Sequence, residues 1–423
     1  MSEHSLLLET PPHGWTAESF GDLCIRVQDS ASPTPNGQRL YVGLEHLASG
    51  FPALVGRGSE SEVRSGKTAF RKGDVLFGKL RPYLRKSALV SEDGICSTDI
   101  LVFRASDKSL AEFLCLLTHS DEFVGHAKAT TSGVQHPRTS WASLREFKLH
   151  VPPLAEQRKI AAVLGLVQRA LEQQERLIGL TMELKKALLH QFFTQGLRGE
   201  PQKQTEIGPV PESWKQRPLD QAGDVVYGIQ AAVASNLKPV GTKILTNKNI
   251  TLDGRITLEK INYFVLKTPR HHATVLRMGD LLFNWRSGSK EHVGKTAYFD
   301  LDEEFTHSSF ILRIRPHDKV SGRYLFYYLN FLRDSAYFVK SQTFAVNAKF
   351  NKSAINRLPT YLPKEDERQE IVMALDAVSL KLKTLQAKHA VFTALFRTLL
   401  HHLMTAEIRV HNLNPSFLSA SPE

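Results

Sequence analysis

The sequence predicts an α+β chain: two tandem mixed modules, each followed by a long α-helix, with the two helices packing as an antiparallel coiled coil. Three observations predict it. Residues 153 to 195 hold apolar positions at helical spacing for longer than any earlier stretch, and residues 364 to 406 repeat that pattern without a gap. The strand, turn and helix signals ahead of the first copy also recur, in the same order, ahead of the second. The division that follows is a first module over 1–153, a central long helix over 154–200, a linker and second module over 201–363, a C-terminal long helix over 364–408 and a tail over 409–423.

In the first module Trp15 follows Pro11 and Pro12, and residues 41 to 44 read as a short buried strand ahead of a turn at Ser49-Gly50. Gly73-Asp74 reads as a turn, the glycine admitting positive φ and the aspartate bonding local backbone. An apolar strand at 75 to 77 leads into a loop with Lys79, Arg81, Arg85 and Lys86 around Tyr83. A strand at 100 to 103 and a helical run at 110 to 124 follow, and the Ser, Gly and Pro content of 130 to 141 marks an ordered loop.

Pro152-Pro153 and Pro363 block helix before each long segment and Gly196 follows the first, so each helix runs for roughly 40 residues, about 60 Å. Ile160, Leu164, Val167, Leu171 and Leu188 of the first copy align with Ile371, Leu375, Val378, Leu382 and Leu399 of the second. A helix of that length with an apolar seam needs a partner, and the other copy exposes the same seam. The seams differ in the middle, where Gln174, Thr181 and Lys185 stand against Leu385, Phe392 and Phe396, so the first faces a wetter surface or packs with an offset.

The stretch 196–214, rich in Gly, Pro and polar residues, reads as a linker. Beyond it Trp214 answers Trp15, residues 277 to 283 answer 71 to 77, and 310 to 312 answer 100 to 102. A helix at 323 to 339 and a loop at 343 to 354 complete the second module.

A formal net charge of +11 favours a polyanionic partner. Three widely spaced cysteines without a CxxC suggest reduced thiols and no structural zinc. With no signal-peptide pattern and no run of ~20 apolar residues, the expectation is a cytoplasmic protein without a membrane partner. The pairs His271-His272 and His401-His402 lack the spacing of metal ligands, Glu146-Phe147-Lys148 lacks the Asp of a nuclease pattern, and Gly66-Lys67 and Gly294-Lys295 lack the earlier glycine of a Walker loop. A glycine-rich cofactor turn and an NPPY or DPPY motif are also missing, which argues against a self-sufficient nuclease or methyltransferase.

The VPPLAEQRKIAAVL start of the first long helix, the LRGE at its exit, the LPKEDERQEI start of the second, the RKGDVLF and RMGDLLF turns and the SGVQHPRTSW loop together resemble the DNA specificity subunit of type I restriction-modification systems, over about residues 12 to 406. The second copy departs from the pattern, with residues 364 to 368 in place of 154 to 158 and no LRGE. The resemblance implies a non-catalytic subunit in which each module is a target recognition domain reading one half of a split asymmetric DNA site. The helices would set the spacer and dock two modification (methyltransferase) subunits, joined by two restriction (motor and nuclease) subunits. S-adenosylmethionine, ATP and Mg2+ would belong to those partners, with no cofactor or metal in this chain. The alternatives are the specificity subunit of a modification-only or other phage-defence complex, and a coiled-coil scaffold without a DNA role.

Reading duplex DNA needs cations that position the module on phosphates and polar side chains that reach base edges in the major groove. In the first module the candidates are Lys79, Arg81, Tyr83, Arg85, Lys86, Gln135, His136 and Arg138; in the second they are Asn284, Arg286, Ser287, Lys290, Asn347, Lys349, Asn351 and Lys352. The ten aligned seam residues named above are the candidates for helix packing and subunit docking.

Overall fold

The computed structural model describes residues 10–230, 240–287, 289–340 and 351–410. The chain divides into two compact units, one of residues 1–178 with 384–423 and one of residues 179–383. Both long helices are present, Leu154–Gln195 and Glu365–Met404, and the division falls inside each of them. Each unit therefore consists of one module and half of each helix.

In the first unit an antiparallel sheet runs in the order Cys24–Val27, Ile100–Ala105, Val75–Gly78, Ser87–Leu89. Successive side chains on a strand face opposite ways. Val75, Phe77, Leu101 and Phe103 accordingly join one apolar core, while Leu76, Ile100 and Val102 join another. A sheet covered on both faces accounts for the unbroken apolar runs in the sequence. The larger core holds Phe20, Phe77, Phe103 and Phe123 in edge and stacked contacts, and it takes in Ile160, Leu164 and Leu171 from the first long helix and Phe396, Leu400 and Leu403 from the second.

The helical run expected at 110 to 124 is two helices, Ala111–Leu117 and Asp121–Ala129. The break has a local cause: the Ser120 hydroxyl accepts from the Phe123 amide at 3.2 Å, starting a new helix with an N-cap.

The second unit repeats the plan with an antiparallel sheet ordered Gly223–Tyr227, Ile311–Pro316, Leu281–Asn284, Thr296–Tyr298. Leu281, Phe283, Leu312 and Ile314 face the larger core, and Leu282 and Ile311 the smaller. Leu189, Phe192 and Phe193 of the first long helix share the larger core with Ile371, Val372 and Leu375 of the second. The helix Lys319–Asp334, capped by Asp318 accepting from the Ser321 amide at 2.7 Å, lies against it.

The stretch read as a linker is partly ordered. Gln202–Thr205 and Gly208–Pro211 form an antiparallel hairpin whose Val210 is buried in that same core. Two polar positions of the first seam are also less wet than expected. Gln174 is buried, and the Lys185 ammonium sits 5.7 Å from the Tyr327 ring centroid, where burial lowers its pKa. Val167, Leu188, Val378 and Leu399 are half-buried, while Leu382 is buried.

Candidate nucleic-acid interface

The Gly-Asp turns prove to be the supports of the loops that follow them. Asp74 is buried, accepts two bonds from the Arg104 guanidinium at 2.8 Å each and one from the Arg71 amide at 2.8 Å. Asp280 does the same with Arg315, at 2.7 Å twice, and with the Arg277 amide at 2.7 Å. Such charge-assisted bidentate pairs fix geometry as well as supplying energy.

In the first module the two predicted loops meet. The Arg81 amide donates to Pro137 O at 2.8 Å, and the Thr139 amide to Lys79 O at 3.1 Å. Ser132 and Arg138 exchange backbone bonds of 2.9 and 3.0 Å, which makes residues 132–138 a tight hairpin with Gly133 at φ +89°. The Arg138 guanidinium is partly exposed but already paired. It donates to both carboxylate oxygens of Asp99, at 2.8 and 3.0 Å, and holds that carboxyl below its usual pKa. Arg85 donates to His119 O at 2.7 Å and pairs with Asp121, while Lys86 donates to Leu44 O at 2.6 Å. These three cations brace the loops. Arg81, Tyr83, Gln135 and His136 are exposed and Lys79 is half-buried. Arg81 and Arg85 flank a 3-10 turn at Pro82–Leu84 with φ of +52° and +50°, a conformation that costs most side chains about 1 kcal/mol.

The second module orders its candidates differently. Asn284 is a fully buried strand residue whose amide donates to His292 O at 2.7 Å, so it shapes the loop from inside. Trp285 donates to Ser309 O at 2.7 Å and packs edge-on against Tyr227, whose hydroxyl accepts from the Lys352 amide at 3.1 Å. This joins the loop after the strand to the start of the helix Lys352–Asn356, which Asn351 caps by accepting from the Ala354 amide at 2.9 Å. Arg286 is exposed and its guanidinium stacks 5.5 Å from the Phe310 ring centroid. The Ser287 hydroxyl accepts from the Ser289 amide at 3.3 Å. Asn347, Lys349 and the side chain of Lys290 lie outside the described residues.

Each unit also ties its module to the start of a long helix in the same way. Trp15 Nε1 donates to Glu156 at 3.1 Å and Trp214 Nε1 to Glu367 at 3.3 Å. Glu156 is further held by Arg409 at 2.7 and 2.8 Å, and Glu367 by the Leu197 amide at 2.8 Å. The second copy therefore keeps the carboxylate that matters, and Ile408-Arg409 stands where Leu197-Arg198 stands in the first.

Residues 36–181 and 211–391 match the family of the type I restriction modification DNA specificity domain, so two copies account for well over half of the chain. The chain belongs to this family. The type I restriction enzyme MjaVIII specificity subunit of Methanocaldococcus jannaschii is similar to it throughout, at 24% identity over 430 residues and 95% of each chain. The type I restriction enzyme EcoDI specificity subunit of Escherichia coli is 24% identical over 199 residues, 46% of this chain, so the match spans only 44% of that relative. The fold is that of the type I restriction-modification S subunit from M. genitalium, at a TM-score of 0.57 and 13% identity over 96% of this chain and 99% of that one. The two family repeats cover the loops above, and among the described residues no group of three or more His, Cys, Asp or Glu is placed to hold a metal ion.

Asp99, Asp121, Tyr227, Trp285 and Phe310 were not legible as site residues. Their part depends on which loops the sheet brings together, and only the charge of the two aspartates, as possible partners for nearby arginines, was visible in advance.

Proposed function

We propose that this chain is the specificity subunit of a type I restriction-modification complex, in which each module reads one half of a bipartite asymmetric DNA site. What carries the reading is the meeting of two loops in the first module, which sets exposed Arg81, Tyr83, Gln135 and His136 beside Lys79 on a braced support. Cations there would engage phosphates, and Gln135 has the amide geometry to pair with adenine in the major groove. Arg286, backed by Phe310, has the planar fork that suits guanine in the second module.

The two long helices would pack antiparallel as a coiled coil and fix the unread gap. This is supported by the apolar cores, in which the N-terminal half of one helix meets the C-terminal half of the other within a single unit. The ten aligned seam residues expected to dock partners are buried or half-buried, so the apolar area for docking two modification subunits, with two restriction subunits joining them, would instead come from exposed residues such as Leu177, Leu180, Met182 and Leu184 on the first helix and Met373 and Leu380 on the second. Methylation and cleavage, with their S-adenosylmethionine, ATP and Mg2+, would reside in those partners, and the complex would act in the cytoplasm.

The test is to map modified bases in a host that gains this chain with its modification subunit. A new split adenine motif, two short defined halves around a fixed gap, is expected. A stable complex that adds no motif would refute the reading.

A further inference from the structure

We propose that Val134 is a specificity-determining residue of the first module, contacting the 5-methyl group of a thymine in the major groove. The inference rests on the DNA-reading function proposed above and assigns it one base-contacting side chain that is apolar.

The observation is a valine in an unusual place. Val134 is 100% exposed, more than any other large apolar side chain among the described residues. It occupies the tip of the 132–138 hairpin between Gly133 and Gln135, with His136 next. Being fully exposed, its isopropyl group buries no area against the hairpin and adds no packing to it. The hairpin is nevertheless held firmly: the Ser132–Arg138 backbone pair closes it, the Arg81 amide and Lys79 carbonyl bind it to the neighbouring loop, and Arg138 locks it to Asp99 through two charge-assisted bonds. A fully exposed branched apolar group on a clamped support is placed to contact something, and the flanking groups, Gln135, His136, Lys79 and Arg81, suit a nucleic-acid surface.

Among base edges in the major groove, the thymine methyl is the one apolar feature, and small aliphatic side chains are suited to it. Valine is stiff at χ1, so its two methyls are presented in a defined direction at little entropic cost. Gln135, adjacent on the same tip, could pair with the adenine of a neighbouring T·A step, which would let one hairpin read both partners. Asp99 is then a positioning residue: it touches no base, but it holds the arginine that fixes the hairpin.

The experiment uses the full chain in complex with its modification subunit, first to define the site by methylation mapping and then in binding titrations on that duplex. Each thymine in the half read by the first module is replaced in turn by deoxyuridine, which removes only the methyl. One replacement should weaken binding by roughly 3- to 5-fold, the value of about one methyl taken out of water. Val134→Ala should weaken binding to the natural site and abolish the sensitivity to that replacement, Val134→Thr, which keeps one methyl, should retain part of it, and Asp99→Asn should blur it while leaving the complex assembled. A half-site without thymine, indifference to every deoxyuridine, or a sensitivity that survives in Val134→Ala would overturn the proposal while leaving the bipartite reading intact. Failure to find any specific site would remove both. Loss of DNA bending in Val134→Ala without any dependence on the methyl would instead make the valine a wedge between base steps.

Discussion

The two modules are alike where they are braced and unlike where they would read. Asp74 with Arg104 and Asp280 with Arg315 are the same pair, a buried turn carboxylate held by a half-buried strand guanidinium, and Trp15–Glu156 and Trp214–Glu367 are the same tie to a helix start. Past the braces the likeness ends. Gly78 and Lys79 lead into a loop of cations in one module, whereas buried Asn284 and Trp285 lead into an aromatic cluster in the other. Core positions differ too: Arg313, buried and bonded to Ala273 O at 2.9 Å, stands opposite Leu282 as Val102 stands opposite Leu76, so the pairing sets this strand one residue later than the match of 310–312 with 100–102 expected from the sequence. The groups that hold the loops recur in both modules and the groups held do not, which is what the proposed reading of two different half-sites would require.

The braces should respond equally, and with the largest effect. Asp74→Ala and Asp280→Ala each strand a guanidinium and a backbone amide, and each should cost about 3 kcal/mol in denaturant unfolding. Values that differ by more than about 1.5 kcal/mol would mean that the two turns are not equivalent supports.

The helix ties should respond unequally. Glutamine can accept from Trp214 Nε1 and the Leu197 amide, but it cannot neutralise Arg409. Glu156→Gln should therefore destabilise by about 1–2 kcal/mol more than Glu367→Gln, measured by chemical unfolding of the full chain.

Acid should act on both modules through one buried histidine each. Burial pulls the pKa of His119 down to about 3 and that of His307 to about 4, so both are neutral in the folded protein at pH 7. An unfolded histidine takes up a proton near pH 6.5, so the unfolded chain binds more protons below that value. The stabilisation is complete above about pH 6.5 and is lost as the pH falls from there toward the folded values. Thermal unfolding followed from pH 7 to 4.5 should show a falling midpoint, and His119→Gln or His307→Gln should flatten part of the fall.

The smallest effect on stability is expected at Arg81. Arg81→Gly relieves the positive φ and should leave stability unchanged or raise it by up to about 1 kcal/mol. If Arg81 engages a phosphate, the same change should weaken DNA binding at all sequences and lower the slope of log affinity against log salt by about 1.

Much of this was legible in the sequence because the signals were periodic or repeated. The seam from Ile160 to Leu171, the apolar strands and the Gly-Asp turns all follow from spacing and turn chemistry. The parts that were missed depend on contacts between distant segments. Nothing local says that Arg138 meets Asp99 or that Asn284 turns inward, because a polar residue at the end of an apolar strand can face either way. The hairpin at 202–211 was hidden by its glycine and prolines, which mark a turn as readily as a linker, and Arg409 by the absence of an LRGE around it. Charge marks a loop as a candidate, but long-range pairing decides which cations remain available.

The most direct test of the central claim is to exchange residues 205–363 for the matching module of another such specificity subunit and map the methylated site of the resulting complex. The account predicts a motif in which one half is replaced while the other half and the gap between them are retained. A change in both halves would contradict independent reading by two equivalent, separately braced modules.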